Sequence, residues 1–152
     1  MTQPFFLRAA TADDAETIRL LTREAYAKWV PVIGREPLPM VADYAEAVRK
    51  HRIDLVEIEG RLAAVIEMVP GAGHLLIENV AVSPAHQGQG IGRRLLARAE
   101  DVAASLGHRE IRLYTNKLFA ENVQLYLKNG YAIDREEPFK GGVIVHMRKS
   151  VG

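Results

Sequence analysis

The sequence predicts a single α/β domain in which helices cover one mixed β-sheet. At 152 residues, of which 48% are hydrophobic and 26% charged, the chain can bury one core but not two. Its strand-like and helix-like segments follow one another in the order β-α-α-β-β-β-α-β-α-β-β. A helix separates the strands at 74–82 and 110–115, so these two should pair in parallel within a sheet that is otherwise antiparallel. We therefore expect one domain over residues 1–152.

The first half of the chain contains a long and a short predicted helix between strands. Phe5–Arg8 is typical of a strand, and Thr11 can cap a helix whose apolar residues recur at helical spacing to about Lys28. Three prolines and a glycine within Trp29–Pro39 predict an ordered loop without regular structure. The segments that follow are a short helix at 43–50 and antiparallel strands at 53–58, 61–69 and 74–82, with turns at 59–60 and 70–73.

The second half alternates helices with strands. Ile91 to Leu106 present one apolar helical face, and Gly107 lies where a left-handed C-terminal cap belongs. A strand at 110–115 precedes a helix over 119–128, which should end at Asn129 and Gly130. The last predicted segments are a strand that begins at 131, a turn at 139–142 and a strand at 143–149.

Composition excludes several classes of function. Twenty basic and nineteen acidic residues leave no net charge that would attract nucleic acid or an anionic membrane. The absence of cysteine excludes thiol nucleophiles, disulfides and thiolate metal sites, and it fits a reducing cytoplasm. The five histidines show no ligand spacing, so we expect no metal. With no apolar run near ~18 residues and no basic leader at residues 1–4, we expect a soluble, cytoplasmic protein.

The most informative stretch joins a strand to the helix that begins at Ile91. Gly88, Gly90 and Gly92 stand at every second position, where they expose successive backbone N–H groups beside the positive end of the helix dipole. A dinucleotide fingerprint is excluded because Arg93 replaces its third glycine. A nucleotide-triphosphate loop is excluded because no Gly-Lys-Ser/Thr sequence is present. The stretch therefore predicts a phosphate site of another kind.

Residues 87–92 read Gln-Gly-Gln-Gly-Ile-Gly, which resembles the acetyl-CoA-binding signature Gln/Arg-x-x-Gly-x-Gly/Ala of the GNAT superfamily of N-acetyltransferases. The match is complete, follows a Val-x-Pro strand end and opens an apolar-periodic helix. The segment Asn122–Tyr131 resembles a second segment of the family, so the resemblance covers essentially the whole chain. It implies the GNAT fold, in which two parallel strands splay apart in the centre of the sheet, and acetyl-CoA as the acetyl donor.

The resemblance also implies where the cofactor is bound. The pantetheine arm should bond the backbone of the strand before the glycines, and an asparagine on the later helix should bond the same arm. The pyrophosphate should meet the backbone amides of the glycine turn, with an arginine beside them. The implied cofactor-binding residues are Val80, Ala81, Val82, Gln87, Gly88, Gln89, Gly90, Ile91, Gly92, Arg93 and Asn122. The alternative is a tight strand-to-helix turn without a ligand.

Two residues are candidates for proton transfer. Asn122 and Tyr126 lie four residues apart on one helix face, and the resemblance implies that the tyrosine hydroxyl reaches the sulfur, where it can protonate the leaving thiolate. Strand alternation places Glu78 on the same face as Val80, where it could take a proton from the acceptor amine directly or through water. The structural alternatives are a core tyrosine and a salt-bridged glutamate.

The expected reaction is direct attack of a primary amine on acetyl-CoA in a ternary complex. No cysteine and no Ser-His-Asp arrangement offers a covalent enzyme intermediate. Two alternatives stay open, a CoA-binding sensor or regulatory module without turnover and an acyltransferase that uses a larger acyl-CoA. The neutral single domain favours a small-molecule amine over a protein amine as acceptor. We expect no nucleic-acid or membrane partner, and a homodimer stays open.

Overall fold

The computed structural model describes residues 5–152, so the expected absence of a basic leader at residues 1–4 falls outside the described residues. The strands are β1 (Phe6–Ala9), β2 (Arg52–Ile58), β3 (Arg61–Pro70), β4 (His74–Val82), β5 (Glu110–Asn116), β6 (Ala132–Phe139) and β7 (Gly142–Ser150). The helices are α1 (Ala15–Tyr26), α2 (Val30–Ile33), α3 (Leu38–Val41), α4 (Tyr44–Lys50), α5 (Ile91–Ser105) and α6 (Ala120–Lys128). None of the helices in this part of the chain is long and apolar enough to cross a membrane.

The strands form a mixed sheet in the order β1-β2-β3-β4-β5-β7-β6. The parallel pairing predicted from the crossover is confirmed, because β4 pairs with β5 in parallel, with His74–Ile77 opposite Glu110–Leu113. β1, β2 and β3 pair antiparallel, and so do β5, β7 and β6. The predicted fold class is therefore confirmed.

The prediction of an irregular loop over Trp29–Pro39 is wrong. A 3₁₀ turn at Ala27–Trp29 continues directly from α1, and α2 and α3 lie within or across the expected loop. Pro31 and Pro39 each occupy the second position of their helix, where a backbone N–H has no intrahelical partner and its loss is tolerated. Proline therefore starts these short helices instead of preventing them.

Two-residue turns connect two of the antiparallel pairs. Glu59 and Gly60, between β2 and β3, both have positive φ, and so do Lys140 and Gly141, between β6 and β7. Two successive left-handed residues match the twist of an antiparallel pair, so such turns favour hairpins. Both predicted turns are confirmed, although β6 runs from Ala132 to Phe139 and so includes the first residue of the predicted turn at 139–142.

The chain forms two compact units, each built from two segments. The first unit contains residues up to 68 together with 79–92, and the second contains 69–78 together with 93–152. Apolar side chains of both units are fully buried, among them Ile18, Leu55 and Ile66 in the first and Leu95 and Ile111 in the second. Burial of this kind is the main favourable term in folding.

Candidate functional site

In the first unit, the glycine turn keeps its backbone donors available. Gly88 and Gly90 have φ values of 79° and 81°, a left-handed conformation that other residues adopt only with strain. The turn is exposed from Gln87 to Gly90. In the described part of the chain, no backbone N–H of residues 87–92 donates to a backbone acceptor. Because α5 begins at Ile91, these donors lie at the positive end of its dipole, where an anion is stabilised.

Side chains in the first unit hold the strand end and the turn together. The Gln87 side chain donates from Nε2 to the Val82 carbonyl at 3.0 Å, and its Oε1 accepts from Lys28 Nζ at 3.3 Å. The Ser83 backbone N–H donates to the Ala63 carbonyl at 2.8 Å. The side chain of Gln87 thus fixes the turn, while the backbone N–H groups of residues 87–92 have no backbone acceptor within residues 5–152.

The last residues of β4 alternate in exposure. Ala81 is buried, whereas Val80 and Val82 are half-buried. Ile91, which follows the turn, is also buried. The side chains of Ala81 and Ile91 therefore belong to the core, and only their backbones could contact a ligand.

A buried network of neutral polar groups lies behind this end of β4. Asn79 accepts from the Tyr26 hydroxyl at 2.8 Å and donates from Nδ2 to the Tyr44 hydroxyl at 3.4 Å. The Tyr44 hydroxyl donates to the Pro39 carbonyl at 2.6 Å, and the Tyr26 hydroxyl lies 3.2 Å from the Val80 carbonyl oxygen. These bonds tie α1 and the segment around α3 and α4 to Asn79 and Val80, so they fix the backbone that the sequence assigns to the cofactor.

In the second unit, Glu78 is bound by a phenol. The Tyr114 hydroxyl donates to Glu78 Oε1 at 2.6 Å, a distance typical of a charge-assisted hydrogen bond. Glu78 forms no ion pair with any residue in 5–152, so the salt bridge considered from the sequence is not found in this part of the chain. The carboxylate is half-buried and keeps its second oxygen for another partner.

Two further residues extend the contact between Glu78 and Tyr114 across the neighbouring strands. His146 on β7 lies directly opposite Tyr114 in the antiparallel register, and the two ring centroids are 6.0 Å apart. Its Nε2 lies 2.9 Å from Glu137 Oε1 on β6. The bond from His146 lowers the pKa of the exposed Glu137. Glu78, Tyr114, His146 and Glu137 thus form a polar row over four strands, which we call the Glu78 row.

Tyr126 lies in α6 with its side chain buried. Its ring meets that of Tyr131 edge to face, with centroids 6.0 Å apart. Burial raises the pKa of Tyr126 to about 12, because the phenolate would lose its hydration. The hydroxyl therefore keeps its proton throughout the neutral range, and it can act as a donor but not as a base.

The second unit contains two predicted cofactor-binding residues, and they differ in exposure. Asn122 is half-buried and lies one helical turn before Tyr126, on the same face of α6. Arg93 is exposed in the first turn of α5. Residues 5–152 contain no group of three or more His, Asp or Glu side chains that could hold a metal ion. All five histidines are half-buried.

Three residues of the Glu78 row were not singled out from the sequence, namely Tyr114, His146 and Glu137. The predicted parallel pairing could have indicated Tyr114, because residues 78 and 114 each follow the paired residues Ile77 and Leu113. No comparable signal indicates the other two. Their position depends on the register of β7 against β5 and on a bulge in β6, and neither can be read from local sequence.

Comparisons with known proteins agree with this geometry. A family model described as "Acetyltransferase (GNAT) family" matches residues 16–131. The PaiA N-acetyltransferase of Thermoplasma acidophilum, solved in complex with coenzyme A, has 20% identity and a TM-score of 0.83, over 97% of this chain and 99% of that one. No curated protein matches the sequence.

Two other solved structures share the fold. A ribosomal-protein alanine N-acetyltransferase from Escherichia coli has 18% identity and a TM-score of 0.79, over 97% of this chain and 94% of that one. A spermidine N-acetyltransferase chimera from Vibrio cholerae and hSSAT has 22% identity and a TM-score of 0.75, over 96% and 95%. The fold implied by the sequence resemblance is confirmed by these structures, and since the family model spans most of the residues, the chain belongs to the GNAT family of acetyltransferases.

Proposed function

We propose that this protein transfers the acetyl group of acetyl-CoA to a primary amine, by direct attack of the amine within a ternary complex. Acetyl-CoA is the donor, and CoA is the second product. Family membership supports acetyl transfer in general, and the chemistry of this chain's own residues supports the finer assignment. The lack of cysteine favours a reducing cytoplasm as its location.

The observation that carries the proposal is the set of open backbone donors from Gln87 to Gly92. Gly88 and Gly90 adopt the left-handed conformation, the N–H groups of residues 87–92 have no backbone acceptor within residues 5–152, and the N-terminus of α5 adds its positive dipole end. A pyrophosphate needs several donors at close range and no side chain in the way. The glycines at 88, 90 and 92 and the backbone N–H groups of residues 87–92 support this assignment, and Arg93 adds a positive charge in the first turn of the helix.

The remaining predicted cofactor contacts involve the pantetheine arm. We assign its amides to the backbones of Val80, Ala81 and Val82, because an extended chain of amides matches the alternating donors and acceptors of a strand. Tyr26 and Gln87 stabilise this strand end through the Val80 and Val82 carbonyls. Asn122 contributes a side-chain amide to the same arm.

Two ionisable groups carry the chemistry. Glu78 takes a proton from the acceptor nitrogen, directly or through one water, and the nitrogen lone pair attacks the acetyl carbonyl carbon. The C–N bond forms, the C–S bond breaks and the thiolate leaves with the bonding electrons. Tyr126 then donates its proton to the sulfur, and its phenolate takes a proton from water once CoA has left. Its raised pKa keeps the phenol protonated, and a thiolate leaving in the same water-poor surroundings is also made more basic.

We propose a small-molecule primary amine as the acceptor. The fold does not decide the acceptor, since the neighbours of known name include a spermidine acetyltransferase and a ribosomal-protein alanine acetyltransferase. The neutral overall charge of this chain offers no general attraction to a charged macromolecule. A library of metabolite amines and peptides, incubated with labelled acetyl-CoA and analysed for acetylated products, tests this assignment.

Thiol release with acetyl-, propionyl- and succinyl-CoA tests the proposed reaction against its alternatives. Preference for acetyl-CoA in the presence of an amine supports the proposal. Faster release from a larger thioester indicates a different acyltransferase. CoA binding without release under any condition, across the amine library, indicates a sensor.

Paired substitutions at Gly90 test the phosphate site. Gly90→Ala and Gly90→Glu impose similar backbone strain, because both place a Cβ on a left-handed residue, but only glutamate adds a negative charge. We expect Gly90→Glu to bind CoA at least 10-fold more weakly than Gly90→Ala in calorimetry, with equal thermal stability of the two variants. Equal CoA affinity in the two variants would contradict the assignment of residues 87–92.

A further inference from the structure

Glu78 is held in one orientation by a neighbour on the next strand. The parallel pairing brings Ile77 opposite Leu113, and the residue after each of them, Glu78 and Tyr114, lies on the half-buried side. The 2.6 Å bond from the phenol occupies Oε1 of the carboxylate. A freely rotating glutamate would present either oxygen in many orientations, so this bond selects one of them.

Tyr114 is itself held from its other side. Its ring packs against His146 at a 40° tilt, and the imidazole is anchored by Glu137 at 2.9 Å. Since Tyr114 is flanked by a different strand on each side, its ring has little freedom to turn away from Glu78. Glu137 is exposed on the outermost strand, so the row runs from a half-buried carboxylate to a solvent-exposed one.

We propose that Tyr114 is a positioning residue for acetyl transfer, and that the His146–Glu137 pair holds Tyr114 in place. The phenol fixes Oε1 of Glu78, so that Oε2 faces the acceptor nitrogen and receives its proton. The amine loses that proton, its lone pair forms the C–N bond, and the proton passes from Glu78 to water after the product leaves. This role rests on the proposed function, because it requires Glu78 to be the base.

Tyr114→Phe separates positioning from packing. The variant keeps the ring against His146 and removes only the hydroxyl. A hydrogen bond to a charged group contributes enough to predict a loss in kcat of about 10- to 100-fold. The KM for acetyl-CoA and the calorimetric affinity for CoA should stay within about twofold of wild type, since the hydroxyl donates to Glu78, which is not assigned to the cofactor. Thermal unfolding checks that the variant is folded.

A double-mutant cycle with Glu78→Gln identifies the partner through which Tyr114 acts. If the phenol works through the carboxylate, Tyr114→Phe should reduce kcat by less than about twofold once Glu78 is already glutamine. A purely structural effect of Tyr114 would instead multiply with the loss at Glu78. Arg112→Gln is the matched control, because Arg112 lies on the same side of β5 and its side chain bonds Glu110. We expect its kcat to match that of wild type.

The outcomes distinguish the failure of this inference from failure of the proposed function. Wild-type protein that binds CoA but releases no thiol with any amine overturns the proposed function and, with it, the role of Tyr114. An active wild type with normal kcat in Tyr114→Phe overturns the positioning role alone. Normal kcat in Glu78→Gln overturns both the assignment of Glu78 as the base and the positioning role, while acetyl transfer itself stands. Multiplicative losses in the double variant also overturn it. His146→Gln should show the same selective loss in kcat, but smaller, because it acts only by loosening the Tyr114 ring.

Discussion

Glu78 and Asn79 are adjacent in β4, but their side chains belong to different polar networks. That of Asn79 consists of neutral groups, and that of Glu78 includes a histidine and a second carboxylate. Asn79 is buried, and all its partners are neutral hydroxyls from tyrosines. Glu78 is half-buried and belongs to a row of ionisable groups that ends at the exposed Glu137. Because successive side chains of a strand point to opposite faces, one strand can serve two purposes at neighbouring positions.

The two side chains differ in how fully their polar atoms are hydrogen-bonded. The donors and acceptors around Asn79 satisfy one another, and such a network stabilises one arrangement of the chain. Glu78 accepts one hydrogen bond, at Oε1 from Tyr114, and its Oε2 has no hydrogen-bond partner within residues 5–152. We therefore expect substitutions near Asn79 to reduce stability, and substitutions of the ionisable groups in the second unit to reduce turnover.

The largest effect on turnover should come from Tyr126→Phe. The change removes one hydroxyl from a buried ring, and kcat should fall about 10- to 1,000-fold if that hydroxyl protonates the departing thiolate. Binding of CoA by calorimetry should be unchanged. A donor whose thiol is more acidic needs the proton less, so it should recover part of the lost activity.

Stability and pH dependence provide the controls for this variant. Because the pKa of Tyr126 is raised to about 12, wild-type activity should show no loss from its deprotonation between pH 7 and 10. The melting temperature of Tyr126→Phe should lie at or above that of wild type, since a buried hydroxyl is removed from an apolar site. Wild-type turnover by the variant, at saturating acceptor, would reduce Tyr126 to a packing residue.

The largest effect on stability should come from Asn79→Ala. This substitution removes a buried side chain and two hydrogen bonds, leaving the hydroxyls of Tyr26 and Tyr44 without that partner. The expected loss in the free energy of unfolding is about 2–3 kcal/mol, from lost bonds and a small cavity together. Urea unfolding measures it, with Glu78→Gln as the adjacent control, for which we expect less than about 1 kcal/mol. Similar losses of stability in the two variants would contradict the proposal that Asn79 serves stability and Glu78 serves turnover.

Local sequence was sufficient for the glycine turn and for most element boundaries. Gly88, Gly90, Gly107 and Gly130 all adopt the left-handed conformation that turns and helix ends require. Local sequence gave the wrong prediction where a residue type is compatible with two kinds of secondary structure. Pro31 and Pro39 favour a loop by residue type, but proline near the start of a helix is compatible with helical structure.

The polar partners in each unit could not be predicted in the same way. Tyr26 is 53 residues from Asn79, and Tyr114 is 36 residues from Glu78. Such bonds depend on strand register and on how each helix packs, and neither is determined by nearby residues. The sequence therefore indicated which residues could carry a charge or transfer a proton. It did not indicate which distant groups bond and position those residues.

The smallest predicted effect concerns an ion pair in the first unit, and it tests whether charges there are structural. Arg8 donates to both carboxylate oxygens of Asp14 at 2.8 Å each and also pairs with Glu57. The bond from Arg8 lowers the pKa of Asp14 well below its usual range, and the Thr11 backbone N–H also donates to this carboxylate. Because the pKa of Asp14 is lower in the folded state than in the unfolded state, where it is about 4, the ionised carboxylate stabilises the folded protein above about pH 4. This contribution is lost as the pH falls toward the pKa of the folded state.

We therefore expect Asp14→Asn to lower the free energy of unfolding by about 1 kcal/mol at pH 7, a modest figure because Arg8 is a third exposed. The difference from wild type should stay constant down to about pH 5 and narrow as the pH drops below about 4, since protonation removes the same charge from wild type. Urea unfolding at pH 7, 5, 4 and 3 measures this difference, and the neighbouring Asp13→Asn, at an exposed position, is the matched control. Thiol release at pH 7 should be the same in wild type and both variants. A difference in stability that persists unchanged at pH 3 would show that Asp14 acts through its shape and hydrogen bonds, and a loss of turnover at pH 7 would show that charges of the first unit also contribute to the chemistry.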